Sequence, residues 1–169
     1  MTNLLEIPVI SRIRRNHGLE HAAIHVLTER NSRRPLAGHS DPGGFWLIGE
    51  VGTEELADAV SEALARMKNG EHDLAVHPNC GTNYVTNGMA AGMASFLALA
   101  GSGRRMRDKL ERLPVAGLLA TIALILARPL GYKIQQKITT SGHPGSLEIV
   151  EVIRSTRGQV TAHRVTTKG

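Results

Sequence analysis

The chain has 169 residues, enough to bury one core and too few for two full-sized domains, so one domain is expected over 1–169, with an apolar helical hairpin inserted at about 84–130. Its net charge of +5 suits an anionic partner, but aromatic residues make up only 3%. With so little to stack on bases, the composition argues against nucleic acid and for a lipid surface. The single cysteine, Cys80, excludes an internal disulfide and fits a reducing compartment or a ligand role.

The N-terminal Leu4 to Ile10 is apolar but short, lacks a basic lead and a small-residue cleavage site, and does not read as a signal peptide. It predicts an early helical turn or a membrane-surface contact. From about Ser11 to Arg30 the pattern is that of an amphipathic helix. It carries His17-Gly18-Leu19-Glu20-His21, an HxxEH pattern. Residues three and four apart share a helix face, so His17, Glu20 and His21 project together, and Ile13, Ile24 and Leu27 extend that face as an apolar stripe. The pair is therefore expected to face the interior. HxxEH is the inverted form of a zinc-peptidase motif, in which two neutral imidazoles hold the metal and the glutamate takes a proton. His25 lies about 12 Å from His17 along the axis, too far to share its ion, and suits a hydrogen-bonding role.

Asn31 to Gly44, with its prolines and glycines, predicts a loop. Phe45 to Val51 predicts a buried strand, and Thr53 the N-cap of a helix whose apolar positions are Leu56, Ala59, Val60, Ala63, Leu64 and Met67, stopped by Asn69-Gly70. Leu74 to His77 reads as a second strand, parallel to the first through a right-handed crossover. Next comes His77-Pro78-Asn79-Cys80-Gly81-Thr82-Asn83, a turn with Thr82 or Asn83 as the cap of a further helix. Cys80 then sits by a helix N-terminus, which favours thiolate, both a zinc ligand and a nucleophile. His77 and Cys80 are the strong ligand types that could complete a site begun by His17 and His21.

The two windows together, HGLEH and HPNCGTN, resemble the YqhQ-like family of predicted metal-dependent bacterial membrane proteins, and a smaller related bacterial family. The likeness rests on His17, Gly18, Glu20, His21, His77, Pro78, Cys80, Gly81 and Thr82. It implies a metal site at a membrane, and no particular reaction.

No charged residue occurs from Pro78 to Gly103, and Tyr84 to Gly101 is long enough to span a hydrocarbon core of about 30 Å. Gly88 and Gly92 form a GxxxG pair, through which a homo-oligomer could assemble. Leu113 to Ala127 is more apolar but shorter, between a buried helix and a span, with Arg128 and Lys133 placed to snorkel. Gly103 to Arg112 holds five Lys or Arg against two acids. That loop and the basic N-terminal helix both claim the cytoplasmic side, and a re-entrant hairpin would satisfy both. Beyond a polar continuation from Gly131 to Thr140, Leu147 to Ile153 and Gln159 to Val165 flank Thr156-Arg157-Gly158 and predict a β-hairpin, with His143 and His163 exposed and idle.

The expected fold is α+β: a small four-stranded sheet with one packed helix, an N-terminal HxxEH helix and an apolar, membrane-associated helical hairpin. The expected function is a zinc-dependent hydrolase, with peptides among its candidate substrates, at the bacterial inner membrane with its soluble part cytoplasmic. His17, His21, His77 and Cys80 are the metal ligands and Glu20 the general base. If all four ligands bind, the site is closed and the protein is a zinc-stapled scaffold. A third reading makes Cys80 a nucleophile with His77 as its base, without metal.

Overall fold

The structure is a computed structural model and describes residues 4–31, 35–103, 105–157 and 160–169. Arg33, Arg34, Arg104, Gly158 and Gln159 lie outside the described residues. The chain forms two compact units, Met1–His77 with Gln136–Gly169, and Pro78–Gln135.

In the first unit a short 3-10 turn, Leu4–Glu6, leads into helix α1, Pro8–Arg30. Pro8 stands in the first turn, where its missing N–H is no loss. From Asn16 to Leu27 nearly every α1 residue is buried, so α1 is enclosed by its unit and does not lie on its surface. Strands β1 (Ala37–Asp41) and β2 (Gly44–Ile48) form a hairpin, followed by helix α2 (Thr53–Lys68), and strands β3 (Glu148–Arg157) and β4 (Val160–Lys168) form a second hairpin. The sheet order is β1-β2-β4-β3, antiparallel throughout. The first hairpin turns at Asp41-Pro42-Gly43, where the Asp41 carboxylate accepts the Gly43 N–H at 2.7 Å. Gly44 follows at a positive φ of 143°, with the Val165 carbonyl where a Cβ would stand, so no other residue fits there.

The core is built from Leu19, Ala23 and Leu27 of α1, Leu56, Val60 and Met67 of α2, and Phe45, Leu47 and Val165 of the sheet. Period-2 alternation puts Phe45 and Leu47 inside while Ile48 is exposed. On β4 the buried positions are Thr161, His163, Val165 and Thr167. Three of these four are polar, and the Thr167 hydroxyl bonds Asn16 Oδ1 at 2.7 Å.

Several expectations are corrected here. Leu74 to His77 is no strand: His72–Ala75 is a 3-10 turn, so no parallel crossover exists. The fourth strand is β1, inside the stretch expected to be a loop, because Ala37–Asp41 has no apolar alternation to reveal it and is held by pairing with β2. Thr53 is not the cap of α2. Gly52 takes that position, and the Thr53 hydroxyl lies 3.2 Å from His163 Nε2. His163, expected to be exposed, is fully buried on β4 opposite Leu47. Helix α1 packs on β1 and β2, and α2 on β3.

The second unit is a helical hairpin, α3 (Gly81–Ala100) and α4 (Met106–Ile134). Cys80 is the N-cap of α3, the place expected of Thr82 or Asn83, and the Asn83 amide donates back to the Pro78 carbonyl at 3.0 Å. Gly131 of α4 packs against Asn83 of α3, where an added Cβ would come within 3.0 Å of Asn83 Oδ1. A Cβ added at Gly88 or Gly92, by contrast, would meet only open space. The helix continues through both Pro114 and Pro129 and runs on into a π-helical turn, Gln135–Thr139, where a polar continuation was expected. This makes α4, and not α3, the helix among the described residues that is long and apolar enough to cross a membrane. Its apolar side chains are exposed, Ile125 at 57% and Leu126 at 72%, as are Met89 and Phe96 of α3. A hairpin with so few buried side chains leaves a large apolar surface uncovered.

Candidate metal centre

Three histidines stand at successive i, i+4 positions on α1, and each is held by a backbone carbonyl. His17 Nδ1–H donates to Thr139 O at 3.0 Å, His21 Nδ1–H to Ala75 O at 2.8 Å, and His25 Nε2–H to Val76 O at 2.9 Å. The carbonyls come from two segments laid along the helix, one on each side of the hairpin insertion in the sequence. Both segments are fixed by α1 itself. Arg14 donates to the carbonyls of Lys137, Ile138 and Thr140, and the Ser141 N–H donates to Arg14 O. Gly18 is where α1 meets this strap, since a Cβ there would lie 2.2 Å from Ser141 O. The glycine of HGLEH thus serves the close approach of two backbones.

These bonds set the tautomers. A His whose Nδ1–H is given to a carbonyl carries its lone pair on Nε2, and such a carbonyl is the usual outer partner of a metal-binding imidazole. The His17 and His21 rings lie 4.4 Å apart between centroids. His77 joins them: its ring lies 5.7 Å from that of His21 and 4.9 Å from that of His25. Burial, with His25 and His21 close by, pushes His77 down to about 4, so it is neutral near pH 7, the form in which imidazole binds metal. His25 is thereby a neighbour of His77 and a hydrogen-bond donor to the same turn.

Glu20 is held by β1. It is 3% exposed, accepts the Ser40 hydroxyl, and packs on Gly38 of β1, where a Cβ would fall 2.1 Å from its Oε1. Burial raises its pKa, opposed by the Ser40 hydrogen bond and by attraction to His17 and His39. Ser40 and Gly38 belong to the strand hidden in the expected loop, and no pattern in the sequence connects them with Glu20.

The first unit therefore brings His17, His21 and His77 together, with Glu20 close to His17. Cys80 is buried and stands three residues beyond His77 along the chain. Imidazole and thiol are both groups that bind metal ions, and His17 and His21 of the first unit and Cys80 of the second carry them. His143 is exposed and stacks on His72 at 3.9 Å, away from this group in the sequence and making no part of it.

No solved structure matches the chain. An uncharacterised protein of Picosynechococcus sp. (strain ATCC 27264 / PCC 7002 / PR-6) is 38% identical over 158 residues, covering 85% of this chain and 73% of its own. Residues 12–152, which include both histidine windows and the whole apolar hairpin, match the domain of unknown function DUF6391, and the chain belongs to that bacterial family.

Proposed function

We propose that the chain is a zinc-dependent hydrolase of the membrane surface, with His17, His21 and Cys80 as its protein ligands and Glu20 as general base. The observation that carries the reading is the pair of Nδ1–H to carbonyl bonds, which give His17 and His21 the same tautomer on one helix face. Cys80 is tethered three residues from His77, whose ring already lies against that of His21. Its place at the start of α3 favours the thiolate that zinc requires. Three protein ligands leave one coordination position open, the pattern of catalytic and not structural zinc. Zinc bound there would supply Lewis-acid chemistry. Glu20, its proton affinity raised by burial and its carboxylate held by Ser40, is the group to take up a proton. The YqhQ-like resemblance of the two windows supports a metal site at a membrane, without naming a reaction. The exposed apolar face of α4 supports membrane association, and we place the first unit on the cytoplasmic side of a bacterial inner membrane.

One observation favours a second reading: neutral His77 beside His21 is suited to be a fourth ligand, which would close the site and make it structural. Metal content of untagged, chelator-free full-length protein separates the two. About one equivalent of zinc, lost in His21→Ala and Cys80→Ser but kept in His77→Ala and Glu20→Gln, supports the open site. Loss in His77→Ala as well supports the closed one, and no stoichiometric metal in folded wild type overturns both.

A further inference from the structure

We propose that the helical hairpin carries a binding site for an anionic phosphodiester lipid headgroup, centred on Arg128. The inference rests on the membrane part of the reading above and is independent of the metal. It starts from a cavity of about 330 Å³ within the second unit, lined among others by Asn79, Tyr84, Asn87, Leu124, Arg128 and Tyr132. Helical spacing builds it. Leu124, Arg128 and Tyr132 recur every four residues on α4, Asn83 and Asn87 do so on α3, and Gly88 puts no side chain in the way.

Charge and depth identify the occupant. The hairpin's two carboxylates, Asp108 and Glu111, stand at the beginning of α4, at least about 25 Å along the helix from Arg128, so the hairpin offers Arg128 no counter-ion. The uncharged run Leu113 to Ala127 spans about 22 Å and ends at Arg128, which places the guanidinium where hydrocarbon gives way to headgroups. Both of the chain's two tyrosines line this cavity, and tyrosine favours that same level. A guanidinium at headgroup depth between two helices is a phosphate receptor. The quaternary ammonium of phosphatidylcholine would bring a second cation beside Arg128, whereas an anionic headgroup such as that of phosphatidylglycerol supplies the negative charge that the hairpin lacks there.

The test is native mass spectrometry of the full chain in a neutral maltoside detergent, titrated with three water-soluble probes: short-chain phosphatidylglycerol, phosphatidylcholine of the same chain length, and inorganic phosphate. We expect saturable binding of phosphatidylglycerol to one site, about tenfold weaker in Arg128→Gln and largely kept in Arg128→Lys and in Arg107→Gln at the far end of the hairpin. Helix content and melting of each variant are read alongside, so that loss through misfolding is recognised and Arg128→Lys then decides. Equal affinity for phosphatidylcholine, or unchanged binding in Arg128→Gln, overturns the proposal. Inorganic phosphate binding as tightly as phosphatidylglycerol overturns the lipid assignment in favour of free phosphate. The probes are soluble, so failure of membrane association appears separately, as failure of the chain to float with phosphatidylcholine vesicles.

Discussion

The Gly18 backbone and the Ser141 carbonyl oxygen approach so closely that no Cβ fits between them, and that contact presses the strap after α4 onto the histidine face of α1. Gly18→Ala would put a methyl group 2.2 Å from that oxygen, which is backbone and cannot swing aside. The expected result is a loss of about 1 to 3 kcal/mol in urea unfolding, although alanine is the better helix former. An unchanged midpoint would mean the strap does not bear on α1.

Arg14 acts on the same strap from one turn earlier, its guanidinium taking three carbonyls of residues 137–140 while His17 takes the fourth. Arg14→Met keeps the aliphatic stem and removes the donors, leaving carbonyls unsatisfied where they are buried. We expect about 2 kcal/mol of destabilisation. Weaker zinc binding should accompany it, because the partner that sets the His17 tautomer is then loose. Calorimetric titration with zinc checks the second effect, and a drop in stability with unchanged affinity would show that the strap does not orient His17.

The α1 face, α2, the β3–β4 hairpin and the turn before α3 were legible because each has a period or a punctuation: HxxEH at helical spacing, apolar residues from Leu56 to Met67, β-branched runs, and Pro78-Asn79. What could not be read is what tertiary pairing creates. Ala37–Asp41 has no strand composition and is a strand because β2 offers it an edge. β4 turns Thr161, His163 and Thr167 inward, so its alternation runs against hydrophobicity and is made tolerable by Asn16 and Thr53, far away in sequence. The ligand candidates followed from residue type and spacing, but the carbonyls of Ala75 and Thr139 that orient them are invisible in sequence, since any residue supplies a carbonyl.

His163 makes stability depend on pH. Burial, with Arg154 nearby, lowers its pKa from the ordinary 6.5, so the folded state resists the proton that the unfolded state accepts. With the folded pKa below the unfolded one, stability is unaffected above about pH 6.5 and falls as pH drops below it, until the folded pKa is reached. His77 contributes in the same direction down to about 4. Comparing urea midpoints of wild type and His163→Phe from neutral to mildly acid pH isolates the first term. The variant should lose less stability on acidification, and parallel curves would show that His163 is not buried as a neutral ring.

Leu118 lies on α4 with 61% of its surface exposed, near the middle of the uncharged run Leu113 to Ala127, and its environment decides what the hairpin is for. On a hairpin in water, Leu118→Arg should be neutral within about 0.5 kcal/mol, since it adds a solvated charge at an open position. In hydrocarbon the same change costs about 2.5 to 3.5 kcal/mol near the centre of a span. We therefore expect Leu118→Arg to move the protein from the membrane to the soluble fraction, or to lower its yield in membranes severalfold, while a charge change at Arg107 near the start of α4 does neither. The first unit provides the internal control. Its core draws on α1, α2 and the sheet and on nothing in the hairpin, so a correctly folded variant keeps its histidine-to-carbonyl bonds and its near-ultraviolet signal from Trp46. Full retention of Leu118→Arg in washed membranes would remove the exposed face of α4 as the reason for membrane binding.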